Sequence, residues 1–330
     1  MDAFEKLLHE YRTSRFLVVD PEGGMGDELI LLGLEKKLQE MKIRYRVLSI
    51  RKSPVINKTL ARAIDSVPAV QSIIRSVRPD IMERHLRKLV SPLGEVSTTP
   101  GSYQSEDVIL LRGGAYLNDI WGGYDVLRLM SKAARNNPQS VIIIAPQSFY
   151  FKGARFREML QEVTHDMYVF CREIDSYNLL SPFHHPQTVH IGVSHDTALF
   201  VSKADLHVQD KSGGYILVAP RLDRESVVTW RREKMWRAWR TGYICKDVNL
   251  LATFKSFVDV VANARKVYTD RLHVSILGAI LGKETYLLPN SYHKNKSTYD
   301  FSLKSFPNVT FIDTREFPLP KASNTKRSNH

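Results

Sequence analysis

The chain has 330 residues, a length that favours two domains over one. Hydrophobic residues make up 43% and charged residues 25% of it, which is typical of a globular protein and excludes a disordered, collagen-like or disulfide-stapled chain. There are 47 lysines and arginines against 35 aspartates and glutamates, a net charge of +12. This excess favours anionic partners without choosing among phosphate esters, nucleic acid and an acidic membrane surface.

The first half of the chain alternates between strand-like and helix-like segments. FLVVD at 16–20 is a short apolar run typical of a buried parallel strand, and GGMGD follows it at 23–27. Asp27 is expected at the N-cap of a helix that leads to the strand RYRVLSI. The pattern continues with strands at 107–111, 141–146 and 167–171 and helices at 124–136 and 155–165. Such alternation predicts a parallel α/β sheet.

The second half repeats this organisation. Strands are predicted at 188–193, 215–220, 266–270 and 284–289, and helices at 247–264 and 272–281. Prolines and histidines interrupt the pattern at 176–186, so the domain junction is expected there. We therefore predict an N-terminal domain at 1–180, a C-terminal domain at 187–315 and a basic tail at 316–330. Two Rossmann-like, doubly wound α/β domains would then face a shared cleft lined by the loops that follow their strands.

Compartment and metal content can be read from the cysteines and the apolar runs. Cys171 and Cys245 are the only cysteines, and they show no CxxC spacing. No metal site is expected, since His184 and His185 lie beside prolines without further ligands. The N-terminus has no secretory pattern, and no run reaches the about 18 to 20 apolar residues of a membrane span. A cytoplasmic protein is predicted, with any membrane contact at the inner face.

Glycine-rich turns after two strands of the first half are candidate ligand contacts. Gly26 and Asp27 open a helix, where free N–H groups attract anions, although the turn is neither GxGxxG nor a P-loop. Gly113 and Gly114 follow the next strand, with Asn118 and Asp119 just beyond. Asp27 and Asp119 are candidate bases. A purely local role in turns and helix caps is the alternative for these residues.

Cations follow two strands of the second half. Arg221 and Arg224 leave the strand at 215–220, and Asp223 between them could hold one in place. Arg271 and His273 stand at the start of the helix at 272–281, where the helix end already attracts negative charge. This arrangement predicts an anion site.

An ordered set of motifs resembles those of the polysaccharide pyruvyl transferase family. The most specific is Asp270-Arg271-Leu272-His273 followed by Asn290 and Lys294. The others are Gly26-Asp27, Gly113-Gly114 with Asp119, APQS at 145–148, CREIDSY at 171–177, Asp196 in SHDTALF, and the strand-end Arg221. The set covers roughly residues 20–305 in the family's order.

The resemblance implies a fold similar to GT-B glycosyltransferases and a reaction in which phosphoenolpyruvate forms a pyruvate ketal on two hydroxyls of one sugar. Phosphoenolpyruvate would be the donor substrate, with no further cofactor, and the acceptor would be a surface polysaccharide or its lipid-linked precursor. Arg221, Arg271, His273 and Lys294 would bind the donor. His273 would give a proton to the methylene carbon or neutralise the departing phosphate, and Asp27 or Asp119 would take the hydroxyl proton. Gly26, Gly113, Gly114 and Asn118 would lie on the acceptor side.

Two rival interpretations stay open at this point. A glycosyltransferase of the same architecture would use a nucleotide-sugar and need a pocket for ribose and base. A saccharide- or phosphate-binding protein without activity would need an incomplete set of cations, whereas the set here is intact.

The segment WRREKMWRAWR at 230–240 holds three of the four tryptophans and several basic residues. Its side chains could lie on an anionic membrane surface, stack on sugar rings or pack on the second domain. Nucleic acid is not expected, because no recognised nucleic-acid module accompanies it.

Overall fold

The computed structural model describes residues 1–21, 23–49, 108–122, 140–152, 166–208, 214–230, 243–251 and 253–317. Within these ranges the strands form two sheets, and the neighbouring strands of each sheet run parallel. The expected α/β chain with two parallel sheets is confirmed, and it is consistent with a Rossmann-like, GT-B type of arrangement. Among the described helices, none is both long and apolar enough to cross a membrane.

The first sheet has six strands in the order β2-β1-β3-β4-β5-β6. Its elements in chain order are α1 (Ala3–Glu10), β1 (Arg15–Asp20), α2 (Met25–Glu40), β2 (Arg44–Ser49), β3 (Val108–Leu111), β4 (Val141–Gln147), β5 (Met167–Cys171), α3 (Ile174–Leu180) and β6 (Val189–Val193).

The second sheet has five strands in the order β11-β10-β9-β7-β8. Its elements are β7 (Tyr215–Ala219), β8 (Tyr243–Cys245), α4 (Phe254–Ala262), β9 (Ala264–Thr269), α5 (Leu272–Ile280), β10 (Glu284–Leu287), α6 (Lys294–Thr298) and β11 (Val309–Phe311). The first strand of each sheet has the second strand on one side and the third on the other. Strand order therefore reverses between β1 and β3 in the first sheet and between β7 and β9 in the second.

Both faces of each sheet are covered, which explains the nearly continuous apolar strands. Along β1, Leu17 and Val19 pack in the cluster on one face, while Phe16 and Val18 pack in the cluster on the other. Along β7, Leu217 and Ala219 alternate in the same way with Ile216 and Val218.

Helix α2 belongs to the cores of both halves. Leu29 and Ile30 in its first turns pack with the apolar cluster of the second sheet, whereas Leu34 and Leu38 pack with that of the first. Gly33 lies between these pairs, and a Cβ there would come 1.9 Å from the backbone oxygen of Thr197. The close approach of α2 to the turn at Thr197–Phe200 therefore requires a glycine at this position.

Two expectations differ from the structure. The strand expected at 188–193 is present as β6, but it pairs in register with β5 and is the edge strand of the first sheet rather than part of the second half. The prolines and histidines before it form a 3-10 turn at Ser181–Phe183 and a tight connection. Helix α4 begins at Phe254 instead of 247, because Asp247 caps a separate short turn at Val248–Leu250. The predicted domain limits themselves stay a prediction.

Phe317, which the sequence places in the basic tail at 316–330, is fully buried. Its ring packs against Trp230 and Tyr268, with centroids 5.3 and 5.8 Å away. The remainder of the tail, the segment at 231–240 and the predicted helices at 124–136 and 155–165 lie outside the described residues.

Candidate active site

Charged side chains gather where strand order reverses in each sheet, which is where open parallel sheets bind ligands. In the first sheet, Asp20 ends β1 and Arg112 follows β3. In the second, Arg221 follows β7 and Arg271 follows β9. The two reversal points thus carry the residues that could recognise an anion.

Two helix N-termini converge between these points. Helix α5 begins just after Arg271, with His273 in its first turn, and α2 begins after Gly24. A Cβ on Gly26 would come 2.6 Å from His273 Nδ1, and one on Gly24 would come 2.7 Å from Asn249 Oδ1. Glycines therefore allow the first turn of α2 to pack directly on the second half. Because both helices present their positive ends here, the position favours negative charge.

Asp27 lies at this convergence, but the expectation that it is the N-cap was wrong. The N-cap is Gly24, and Asp27 is the third residue of α2, from which Oδ2 accepts the Gly24 N–H at 2.8 Å. Its Oδ1 accepts from Arg112 Nη1 at 3.0 Å. Burial works to raise the pKa of Asp27, but the nearby Arg112 and His273 outweigh it and lower that pKa. The carboxylate is therefore held in its charged form.

Arg112 is fully buried and was not singled out from the sequence. It also bonds Asp20, and its Nη1 donates to Gly113 O at 2.8 Å. A Cβ on Gly113 would lie 2.3 Å from Pro146 O, and Gly114 has φ +149°, so both glycines are required for the backbone path beside Arg112.

A second buried arginine joins the two halves. Arg172 follows β5, and its Nη1 lies 2.7 Å from Asp196 Oδ2 and 3.3 Å from His273 Nε2. The same Asp196 oxygen lies 3.3 Å from His273 Nε2. Burial opposes ionisation of Asp196, but Arg172 and the bond to His273 hold its pKa well below the usual range. The three side chains form one charged cluster across the two sheets.

Several buried polar atoms at the carboxyl edge of the first sheet have no hydrogen-bond partner within the described part of the chain. They are Nη2 of Arg112, Nη2 of Arg172 and both amide atoms of Gln147. Buried polar groups are normally bonded, so a polar ligand or water is expected to complete them.

The cations expected to bind the donor lie together in the second half, and carboxylates of the chain hold each of them. Arg221 makes two bonds to Asp223, of 2.9 and 3.0 Å, as the sequence suggested, and its Nη1 lies 3.0 Å from Glu225 Oε2. Nη2 of Arg271 lies 2.7 and 2.8 Å from the oxygens of Asp247. These pairings fix the direction of both guanidinium groups.

Glu225 is the centre of this network. It accepts bonds from Lys294, from Asn290 and, across the two halves, from Trp121 Nε1. Burial works against its charge, yet Lys294 and Arg221 lower its pKa to about 2. For Lys294, burial, only partly offset by Glu225, lowers the pKa to about 8. The Asn290 and Lys294 of the sequence motif thus share one carboxylate partner.

Asp270 joins the loops after β7 and β9. It accepts from Arg221 N at 2.6 Å and from Ser226 Oγ at 2.6 Å, and Trp230 Nε1 lies 3.3 Å away. Burial raises its pKa to about 6 despite these hydrogen bonds.

Asn118 and Asp119 lie in a turn after Gly114. Asn118 Oδ1 accepts the backbone N–H of Ile120 and Trp121, and its Nδ2 donates to Ala115 O. The exposed Asp119 accepts from Lys152 N at 2.6 Å. These bonds of Asn118 are thus local to its turn, whereas the bond of Asp119 joins the turn to the backbone at Lys152.

Sequence reasoning missed Arg112, Glu225 and Asp247 as site residues and used Arg172 and Asp196 only within motif matches. Arg112 and Arg172 each directly follow an apolar strand, at the edge where ligands bind, and this position was a usable signal. The described residues contain no group of three or more His, Cys, Asp or Glu side chains that could hold a metal ion.

Fold and site together define a Rossmann-like α/β protein with cations and helix N-termini gathered at the reversal points of two parallel sheets. The model of the polysaccharide pyruvyl transferase family matches residues 25–292. The chain belongs to this family, so the resemblance drawn from its motifs is confirmed, and the family is one of transferases.

The chain is also similar to two further proteins. General stress protein 30 of Bacillus subtilis is 21% identical over 234 residues, which cover 64% of this chain and 66% of that protein. The crystal structure of an uncharacterised protein from Klebsiella pneumoniae is 20% identical, covers 94% of this chain and 97% of its own, and superposes with a TM-score of 0.58. At that identity the second likeness concerns the fold alone.

Proposed function

We propose that this protein forms a pyruvate ketal on two hydroxyls of one sugar, with phosphoenolpyruvate as donor and phosphate as the second product. The acceptor is a surface polysaccharide or its lipid-linked precursor. The observation that carries the proposal is the convergence of the N-termini of α2 and α5 on His273, beside the buried Arg172. Family membership supports pyruvyl transfer, and the donor and the ketal are our inference.

The charge of the donor fits the cations of the site. Phosphoenolpyruvate carries a phosphate and a carboxylate, so it needs at least two cationic contacts. Arg221 and Arg271 lie on neighbouring loops, each aligned by a carboxylate, and Lys294 lies beside Arg221 through Glu225. Nη2 of Arg172 is a further hydrogen-bond donor, and it has no partner in the described part of the chain.

The proposed chemistry has two additions at C2 of the enolpyruvyl group. The first sugar hydroxyl loses its proton to Asp27 and bonds to C2, while the methylene carbon takes a proton from His273 and becomes a methyl group. The C2–O bond to phosphate then breaks, and the departing phosphate takes one proton. The second hydroxyl bonds to C2 and loses its proton, which closes the ketal and balances the protons. We assign the base role to Asp27 rather than Asp119, because Asp27 lies at the convergence of the helices, beside Arg112 and close to His273.

Ligand-dependent stability tests the donor. We expect phosphoenolpyruvate to raise the melting temperature of the full chain, because a ligand that binds only the folded state stabilises it. Arg271→Ala should lose this shift. Arg265→Ala should keep it, because Arg265 is exposed at the amino end of β9, the strand that precedes Arg271. Stabilisation by nucleotide-sugars alone would overturn the proposal.

We further propose that the reaction takes place in the cytoplasm, where a lipid-linked acceptor would be reached at the inner membrane face. The proposed contact is the basic segment at 231–240, which contains two further tryptophans, because Trp230 itself packs on Phe317 in the second half. Flotation of the full chain with anionic liposomes tests it, and no co-migration would remove membrane contact from the proposal.

A further inference from the structure

We propose that Asp196, held by Arg172, is a positioning residue that fixes the imidazole of His273 with Nε2–H turned towards Asp196 and Nδ1 turned towards the first turn of α2. Nδ1 is then the nitrogen that exchanges a proton with the substrate. This inference rests on the proposed function for its consequence, but the orientation itself can be tested without any substrate.

Hydrogen-bond chemistry selects the tautomer. His273 Nε2 lies 3.3 Å from Asp196 Oδ2 and also 3.3 Å from Arg172 Nη1. If Nε2 carried no hydrogen, its lone pair would face a full negative charge at the carboxylate. With a hydrogen it donates to an ionised acceptor, and such bonds are roughly twice as strong as neutral ones. Without that hydrogen, Nε2 could instead accept from Arg172 Nη1, but Arg172 Nη1 already donates to Asp196 Oδ2 at 2.7 Å. In the Nε2–H form both side chains donate to this one carboxylate oxygen, and we take this form as the one that satisfies all three contacts, as when a carboxylate orients a catalytic histidine in other enzymes.

Asp196 can hold the ring because Asp196 is itself immobile. It is fully buried. Its Oδ1 accepts the Ala198 N–H at 2.9 Å, and its Oδ2 accepts from Arg172 Nη1 at 2.7 Å. Arg172 is fixed in turn by its Nε bond to Ser148 Oγ at 2.8 Å. These bonds hold the Asp196 carboxylate in one orientation, in which its Oδ2 faces His273 from the second half.

The opposite side of the ring faces α2. A Cβ on Gly26 would come 2.6 Å from Nδ1, so the ring lies directly against the helix start. The charged groups that face His273 are Asp27 from α2, Arg172 from the end of β5 and Asp196 from the turn after β6. Only the α2 side adjoins both helix N-termini, where an anionic substrate is favoured.

Imidazole nitrogen NMR of the full chain labelled with ¹⁵N-histidine tests the orientation directly. The His273 signals are assigned with His273→Gln, and spectra are recorded at a pH where the ring is neutral. We expect a single tautomer with hydrogen on Nε2 in the unmodified protein. A predominant Nδ1–H form, or a mixture of the two, would overturn the proposal, and the tautomer itself is read from the unmodified protein.

Two variants separate positioning from general stability. Asp196→Asn removes the charge and should turn the single tautomer into a mixture, and an unchanged spectrum contradicts the role of Asp196. Thr197→Val removes a neighbouring buried bond, from Oγ1 to Ile30 O at 3.0 Å, without touching His273, and should leave the tautomer unchanged. A mixture in Thr197→Val as well would mean that loss of packing, rather than loss of the carboxylate, frees the ring.

Kinetics then connect the orientation with the reaction. Asp196→Asn should lower kcat for phosphate release by on the order of 10²-fold and change the pH profile, with little change in KM for phosphoenolpyruvate. A fall in affinity alone would contradict the positioning role. If phosphoenolpyruvate neither binds nor is consumed, the proposed function fails, whereas the NMR result still decides the orientation.

Discussion

At the scale of single residues, the candidate site consists of buried charges held in pairs. Arg112 and Arg172 are fully buried, and each lies against at least one carboxylate. Such pairs need excellent geometry, because removing two charges from water costs several kcal/mol per ion. Both arginines lie at the carboxyl edge of the first sheet, where open parallel sheets bind ligands.

The contact between Gly26 and His273 leads to a direct prediction. Gly26→Ala would place a Cβ 2.6 Å from His273 Nδ1 and displace the ring or the helix. We expect turnover to fall by on the order of 10²-fold, the usual effect of a displaced catalytic group. Gly214→Ala is the control, since a Cβ there meets no atom within 4 Å. Equal activity of both variants with the unmodified protein would contradict the close packing.

The raised pKa of Asp270 predicts how the free energy of unfolding depends on pH. Burial raises its pKa from 3.8 to about 6, so the folded state binds the proton more tightly than the unfolded chain. Its contribution to stability is full below 3.8 and is lost as the pH rises through about 6. Across this range the Asp270→Asn variant should gain up to roughly 3 kcal/mol relative to the unmodified protein. Urea unfolding of both proteins over the range measures the difference, and a constant difference would contradict the shift.

At the scale of elements, helix starts and strand ends account for most of the site. The N-termini of α2 and α5 belong to different halves, and they meet because glycines leave no side chains between them. The turn at 112–122 is joined to the second half by the bond from Trp121 to Glu225 and by Arg224 Nη1, which lies 3.3 Å from Ile120 O.

Trp121→Phe tests this connection between the halves. Phenylalanine keeps an aromatic ring beside Arg224 but cannot donate to Glu225. We expect the amide hydrogens of Ile120 and Trp121, which donate to Asn118 Oδ1, to exchange about 10-fold faster, since bonds to charged groups contribute on the order of 1.5 kcal/mol or more. Hydrogen exchange with mass spectrometry measures this, and unchanged exchange would mean that the turn is held by its local bonds alone.

The sequence predicted the elements well where a single periodicity extends over several residues, as in β1, β3, β5 and α5. It failed where the outcome depended on partners distant in the chain. Asp27 looked like an N-cap because it precedes an apolar helical pattern, but the helix starts earlier and Asp27 reaches back to Gly24. The strand β6 looked like the start of the second half because prolines precede it, yet its pairing is with β5.

At the scale of the whole molecule, two sheets of the same strand order are joined through α2. Gly33→Ala would force a Cβ to within 1.9 Å of Thr197 O, a backbone atom that cannot rotate aside as a flexible side chain can. We expect the free energy of unfolding to fall by about 1–3 kcal/mol, the usual effect of overpacking. Because α2 packs on both sheets, tryptophan fluorescence and far-UV dichroism should report the same lowered midpoint. A variant as stable as the unmodified protein would show that α2 can move away from the turn.

The sequence by itself determined the α/β class, the family, the strand-end position of Arg221 and the helix-start position of Arg271 and His273, because these depend on local periodicity and on motifs with fixed spacing. Only the tertiary structure decided which charges meet. Arg112, Arg172 and Asp196 each follow a different strand of the first sheet, and His273 comes from the second. Whether these side chains meet depends on the distance between the two sheets. Packing at Gly26, at Gly33 and in the two cores sets that distance, and residue spacing along the chain does not encode it.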